Sequence, residues 1–224
     1  MFSGIVPWYD FLNHSLSLGQ DVLWRRALVQ GLRLPPGALV LDLAAGTMDV
    51  ALALRQHHPQ ARVLGADFSL AMLRRGQEKL RRRGQTGIFP LAGDANALPF
   101  PDGTFDALTI AFGVRNLPDH TWALQEMHRV LKPGGMVAIL EFVPPSRGWL
   151  ARAYGLYLTR LLPLIGRLFS RHASAYSYLA HSILHFPPAP EFARLLATVG
   201  FRDVCWQALT AGIVALFYGI RNGG

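Results

Sequence analysis

Val40-Leu41-Asp42-Leu43-Ala44-Ala45-Gly46-Thr47-Met48-Asp49 reads as a buried strand ending in a tight turn, and Val50-Ala51-Leu52-Ala53-Leu54 continues it as the apolar start of a helix. A second strand, Arg62-Val63-Leu64-Gly65-Ala66, ends in Asp67, 25 residues beyond Asp42. A strand, a tight turn, a helix and an acid at the tip of the next strand are the parts of a nucleotide site. The turn brings backbone N–H groups to the ligand, and the acid accepts hydrogen bonds from ribose hydroxyls. An ordinary βα turn with a helix-capping Asp carries the same letters, so the motif has to be weighed with the rest of the chain.

Only Gly46 stands in the turn, and the dinucleotide fingerprint G-x-G-x-x-G is absent. That argues against NAD and FAD and leaves a mononucleoside cofactor without a pyrophosphate, of which S-adenosylmethionine is one.

The 224 residues are enough to bury a large core, and 51% of them are hydrophobic against 16% charged. No run reaches the ~20 apolar residues of a membrane span. The start, Met1 to Pro7, lacks the basic and long apolar stretches of a secretory signal, so a cytoplasmic address is expected. The single cysteine, Cys205, excludes an internal disulfide and a multi-cysteine zinc site and is expected as a small core residue on a late strand. Arginine carries most of the net charge of +8, with Lys79 and Lys132 the only lysines. The cluster Arg74, Arg75, Lys79, Arg81, Arg82, Arg83 is expected as a solvated helix face. No zinc-finger spacing or RNA-recognition signature accompanies it, so no nucleic-acid partner is expected.

Along the chain, helices are expected at 8–33 (interrupted at Ser17-Leu18-Gly19), 48–57, 69–83, 119–131 and 190–198. Strands are expected at 38–43, 62–66, 87–92, 105–112, 136–142, 201–208 and 212–220, with a turn at Lys132-Pro133-Gly134-Gly135. Alternating units of this length imply an α/β fold with a mostly parallel seven-stranded sheet and helices on both faces. Residues 144–190 break the rhythm and read as an inserted helical cap. The whole chain, 1–224, is expected as one domain: N-terminal helices 8–33, a core at 38–142, the cap at 144–190, and a closing helix and strands at 190–220.

Further pieces stand in order: Gly93-Asp94-Ala95; Leu98-Pro99-Phe100-Pro101-Asp102-Gly103-Thr104-Phe105-Asp106; Phe112-Gly113-Val114-Arg115-Asn116; and Arg129-Val130-Leu131-Lys132-Pro133-Gly134-Gly135. This order resembles the Rossmann-like class I S-adenosylmethionine-dependent methyltransferases. More narrowly, Tyr9-Asp10-Phe11-Leu12-Asn13, Phe112 to Asn116, Leu140-Glu141-Phe142, Ala175 to Leu179 and Gly212 to Ala215 resemble the UbiE/MenG-type C-methyltransferases of menaquinone and ubiquinone biosynthesis. The resemblance covers nearly the whole chain. It implies that Gly46 and Thr47 bind S-adenosylmethionine in the first turn and that Asp67 accepts from its ribose. It also implies that Asp94 and Ala95 hold the adenine and that Ala111 lines the cofactor through its backbone. Where the family has a glycine-rich first turn, this chain has Met48. Accommodation is expected if the Met48 backbone takes ordinary helical angles and its side chain points into the helix–sheet interface.

The implied reaction is C-methylation of a membrane-dissolved prenylated quinol, demethylmenaquinol or a ubiquinone precursor. Arg115 is assigned to stabilising phenolate charge, because a guanidinium stays protonated and makes a poor base. Asn116 and Tyr9 are assigned to orienting the hydroxyl or a water. An Arg115–Asp119 ion pair is the structural alternative. His14, His120, His172, His181 and His185 are other candidate proton acceptors. Another small-molecule methyltransferase, or a non-catalytic quinone-binding protein with a degenerate cofactor loop, remains open at this stage. The cap, with Leu150, Tyr154, Tyr157, Leu158, Leu161, Leu162 and Leu164 beside Arg152, Arg160, Arg167 and Arg171, suits either packing on the sheet or an anionic membrane surface at the inner face. A homo-oligomer is compatible with the sequence, which leaves the oligomeric state open.

Overall fold

The computed structural model describes residues 17, 19–144, 153–161 and 173–223. Tyr9 and its neighbours, His14, His172, and Arg152, Arg167 and Arg171 of the cap lie outside the described residues. Seven strands form one sheet: β1 (Leu39–Leu43), β2 (Arg62–Asp67), β3 (Ile88–Ala92), β4 (Phe105–Ala111), β5 (Leu131–Phe142), β6 (Phe201–Leu209) and β7 (Val214–Arg221). Their order is β3-β2-β1-β4-β5-β7-β6, with β1 to β5 parallel and β7 antiparallel to both of its neighbours.

The helices are α1 (Gln20–Gln30), α2 (Asp49–His57), α3 (Leu70–Arg82), α4 (His120–Val130), α5 (Ala173–Leu184) and α6 (Ala189–Val199). Side-chain alternation along the central strands feeds two cores. Leu41, Leu43, Leu108, Ile110, Val137, Ile139 and Phe217 pack under α4 and α6. Val40, Ala107, Ala138, Leu140 and Leu216 pack under α1, α2 and α3. The expected fold class is the one observed.

Three local expectations need correcting. β5 begins at Leu131, before Lys132-Pro133-Gly134-Gly135, because Leu131 already pairs with Phe105; the tetrapeptide is absorbed as a register shift before Met136 meets Ala107. Cys205 is exposed rather than core, since β6 is the sheet's outer strand and its register is broken between Arg202 and Cys205. Lys79 does not share the solvated face of its helix: its Nζ turns inward to Thr47 Oγ1 at 2.8 Å and Asp49 Oδ1 at 3.0 Å.

The shared methyltransferase-like pieces have a structural use. Arg129 bonds Glu126 and Asp102 and donates to the carbonyls of Leu98 and Phe100, tying the loop after β3 to α4. Those two carboxylates hold the guanidinium's proton affinity above its ordinary value.

Candidate active site

A cavity of about 440 Å³ opens at the carboxyl ends of β1 and β4, where an open α/β sheet places its ligands. One side is the β1 turn, from Ala44 to Thr47, with Asp49 and Val50 of α2. α1 covers it with Gln20, Asp21, Trp24 and Arg25. Ala111, Phe112, Arg115 and Phe142 close the β4–β5 side, and Tyr154, Tyr157, Leu158, Leu179 and Ile183 form a roof from 153–161 and α5. The walls include Ala44, Phe112 and Thr210, non-glycine residues at φ 50°, 56° and 45°. Strained backbone of this kind persists where the surrounding structure over-determines it, and it clusters at ligand sites.

The first turn is held by Asp67. Its Oδ2 accepts from the Gly46 N–H at 2.8 Å and its Oδ1 from the Ser69 N–H at 2.7 Å. A carboxylate has about four acceptor positions, so capacity remains for ribose hydroxyls. A Cβ built on Gly46 meets nothing nearer than the Ala44 carbonyl at 3.9 Å, so the turn leaves room for a nucleoside. Asp94, two residues past β3, accepts at Oδ1 from both the backbone and side-chain N–H of Asn96, at 2.8 Å each, an Asx turn that fixes its carboxylate.

Met48 resolves differently from expectation. Its backbone is left-handed, at φ 71°, rather than helical, yet its side chain is fully buried between α3 and the sheet. It fits because two positions facing it are glycines. A Cβ at Gly65 would lie 2.5 Å from Met48 Sδ, and one at Gly76 would lie 2.7 Å from its Cγ. The thioether fills a groove that two missing side chains leave.

Arg115 stands in a short 3-10 turn (Val114–Asn116) just past β4, with its partner at the end of β5. Its Nη1 donates to Glu141 Oε1 at 2.5 Å and to the Phe112 carbonyl at 2.8 Å, and its backbone N–H donates to Glu141 Oε2 at 3.2 Å. The ion pair is thus with Glu141, not Asp119, which caps α4 through the Trp122 N–H. Arg115 Cζ sits 5.6 Å from the centre of the Phe142 ring, and its buried Nε has no hydrogen-bond partner among the described residues.

Of the residues expected from sequence, the structure brings Gly46, Thr47, Ala111 and Arg115 together on the cavity. Asp67, Asp94, Ala95 and Asn116 are not among its lining residues. Asn116 Oδ1 accepts from the Tyr178 hydroxyl at 3.2 Å. None of the described histidines lines the cavity: His120 packs against Phe186 and Phe192, and burial holds its pKa below the usual value. Sequence reasoning missed Glu141 as a functional partner, although one acid in the run Met136-Val137-Ala138-Ile139-Leu140-Glu141-Phe142 was the available signal. It also missed Trp24, Asp21, Arg25 and Asp49.

The family model described as the ubiE/COQ5 methyltransferase family matches residues 1–221. A ubiquinone/menaquinone biosynthesis C-methyltransferase UbiE from Geobacter sulfurreducens is 47% identical over 99% of this chain and 87% of that protein. A demethylmenaquinone methyltransferase from Thermus thermophilus is 46% identical over 99% of this chain and its own full length. Among solved structures, a Thermotoga maritima SAM-dependent methyltransferase, possible histamine N-methyltransferase, superposes with a TM-score of 0.71 at 19% identity, covering 99% of this chain and 98% of that one. At that identity the likeness shows the fold alone. The full-length matches at over 40% identity carry more: this chain belongs to the ubiE/COQ5 methyltransferase family and is an S-adenosylmethionine-dependent C-methyltransferase.

Proposed function

We propose that the protein methylates a ring carbon of a prenylated quinol of menaquinone or ubiquinone biosynthesis. The observation that carries the reading is Arg115 on the cavity wall, its Nη1 fixed by Glu141 and the Phe112 carbonyl. The guanidinium charge held at the cavity wall stabilises the phenolate that makes the neighbouring ring carbon nucleophilic. Bound S-adenosylmethionine supplies the electrophilic methyl group. Phe112 and Phe142, whose rings lie 4.7 Å apart, line the cavity with Tyr154 and Tyr157 and hold an aromatic ring between apolar walls. Leu158, Leu179 and Ile183 extend the apolar surface for a prenyl tail. Arg115, charged beside a carboxylate, is no base, and burial pushes the Tyr154 hydroxyl well above its usual value. The ring proton therefore leaves to water.

On this reading Gly46, Thr47 and Ala111 contact the cofactor directly, Asp67 reaches its ribose, and Asp94 and Ala95 reach its adenine. Asn116 acts from behind Arg115. The outer faces of the elements that line the cavity support membrane contact at the cytoplasmic surface. Val22, Leu23 and Arg26 are exposed on α1, and Leu156 and Arg160 on 153–161. No helix among the described residues is long and apolar enough to cross a membrane.

The test offers chemically reduced demethylmenaquinol, a ubiquinone-precursor quinol and a simple phenol with methyl-labelled S-adenosylmethionine. Transfer to the quinols and not to the oxidised quinones is expected. Transfer to the phenol alone would overturn the assignment.

A further inference from the structure

Where the turn between β6 and β7 meets α1, three side chains form a hydrogen-bond chain that the reaction chemistry above leaves unused. Trp24 Nε1 donates to Thr210 Oγ1 at 2.9 Å, and Thr210 Oγ1 donates in turn to Gln20 Oε1 at 2.7 Å. All three residues line the cavity. Thr210 stands at φ 45°, in the left-handed region that a β-branched residue rarely enters, and Ala211 follows at φ 54°. Both partners of the Thr210 hydroxyl belong to α1, so the strained turn and the helix hold each other in place.

The chain runs in one direction only. An indole N–H donates and never accepts, so the Thr210 oxygen serves it as acceptor and the single hydroxyl proton passes on to Gln20. Oε1 of Gln20 therefore faces Thr210, which settles the amide against its two-fold flip and leaves Nε2 as the free end. Gln20 Nε2 makes no hydrogen bond among the described residues. The result is a neutral donor at the cavity wall, strengthened by polarisation along the chain. The same cavity carries a cation, Arg115, and the Phe142 ring is a neighbour of both ends: it lies 5.6 Å from Arg115 Cζ and 5.9 Å from the Trp24 ring. A cation and a neutral donor joined by aromatic surface match a ring with two oxygens of unequal charge. In a quinol attacking the methyl group, the oxygen beside the reacting carbon carries phenolate charge and the oxygen para to it keeps its proton.

We propose that Gln20, oriented by Thr210 and Trp24, is a specificity-determining residue that donates through Nε2 to the second ring oxygen of the quinol, the one para to the phenolate at Arg115. Holding both oxygens fixes the ring within its plane and so selects which carbon meets the methyl group. The assignment rests on the reading that this cavity takes a quinol ring.

Inhibition constants test this better than rates, because the second hydroxyl also makes the ring more nucleophilic. The probes are a short-prenyl, ring-methylated naphthalene para-diol and the same ring with the distal hydroxyl replaced by hydrogen. Each is titrated, without oxygen, against methyl transfer from S-adenosylmethionine to reduced demethylmenaquinol by the full chain. The unaltered protein is expected to bind the diol about tenfold more tightly, the worth of one directed hydrogen bond. Gln20→Met keeps the length of the side chain and removes the donor. It should bring the diol to within about twofold of the other ring and leave S-adenosylhomocysteine affinity, by calorimetry, within about twofold of the unaltered value. Equal constants in the unaltered protein overturn the assignment, as does a Gln20→Met variant that keeps the gap or weakens both rings alike. A matching loss of S-adenosylhomocysteine affinity would give Gln20 to the cofactor and overturn it as well. If the unaltered protein transfers no methyl group to the reduced quinol, the quinol reading itself fails and takes this assignment with it.

Discussion

The Arg115 guanidinium and the Glu141 carboxylate form an ion pair across the ends of β4 and β5, with the carboxylate fully buried and the guanidinium at the cavity wall. Glu141 accepts from Arg115 twice, through side chain and backbone, and once from the Phe142 N–H. It therefore sets both the rotamer of the arginine and the path of the chain that carries it. A fixed donor aimed at developing charge is worth far more than a mobile one, because no reorganisation is needed at the moment of reaction.

Glu141→Gln keeps the shape and removes the charge. Turnover should fall by about 10–100-fold, less than the about 100-fold or more that loss of the positioned donor itself costs. Cofactor affinity should hold, because Glu141 does not line the cavity. Arg115→Ala should lower turnover further with the same unchanged affinity. Single-turnover rates and calorimetry on the same preparations check this. A variant that melts earlier but turns over normally would reduce Glu141 to a structural role.

Asp67→Ala removes the acceptor for the Gly46 and Ser69 N–H groups as well as for the ribose. Cofactor binding should weaken by about 1.5–3 kcal/mol, the range for hydrogen bonds to a charged group. An unchanged dissociation constant by calorimetry would remove Asp67 from the site.

Gly76 lies mid-helix in α3, where alanine ordinarily stabilises by about 1 kcal/mol. Here the sign should reverse, because the new Cβ would stand 2.7 Å from Met48 Cγ. Gly76→Ala should lower the melting temperature, and adding Met48→Gly should restore much of the loss by clearing the groove. A double-mutant cycle with additive effects would contradict the packing relation.

Asp42 is fully buried against Thr109, and burial raises its pKa from 3.8 to about 7. A carboxyl whose folded value exceeds its unfolded value binds more protons in the native state between the two. Stability is therefore lost as pH rises from about 4 to about 7, by up to about 4 kcal/mol. Asp42→Asn should flatten that slope and leave the ligand-free protein more stable than the unaltered one at pH 8. Denaturant melts at pH 4, 6 and 8 measure both. An unchanged slope would place the titration on other groups.

Five parallel strands and their turns were legible because each is a short apolar run punctuated by a turn residue or an acid. Thr47 and Arg115 were legible as cavity residues because ligand sites form at strand ends in this fold. Glu141, Asp21 and Arg25 were not. Arg25 meets Asp49 from 24 positions away and Arg115 meets Glu141 from 26, so no local spacing announces either pair.

The sequence by itself determined the α/β class, the nucleotide turn and the arginine past the fourth strand, because hydrophobic period and turn chemistry are local properties of the chain. Only the tertiary structure decided that β7 inserts antiparallel between β5 and β6 and that Lys79 turns inward. It alone decided that Met48 is tolerated in a left-handed turn. Each of these depends on what stands opposite a side chain across the sheet or the helix layer. For Met48 the deciding partners are two glycines, Gly65 on β2 and Gly76 on α3, whose missing side chains make the space it fills.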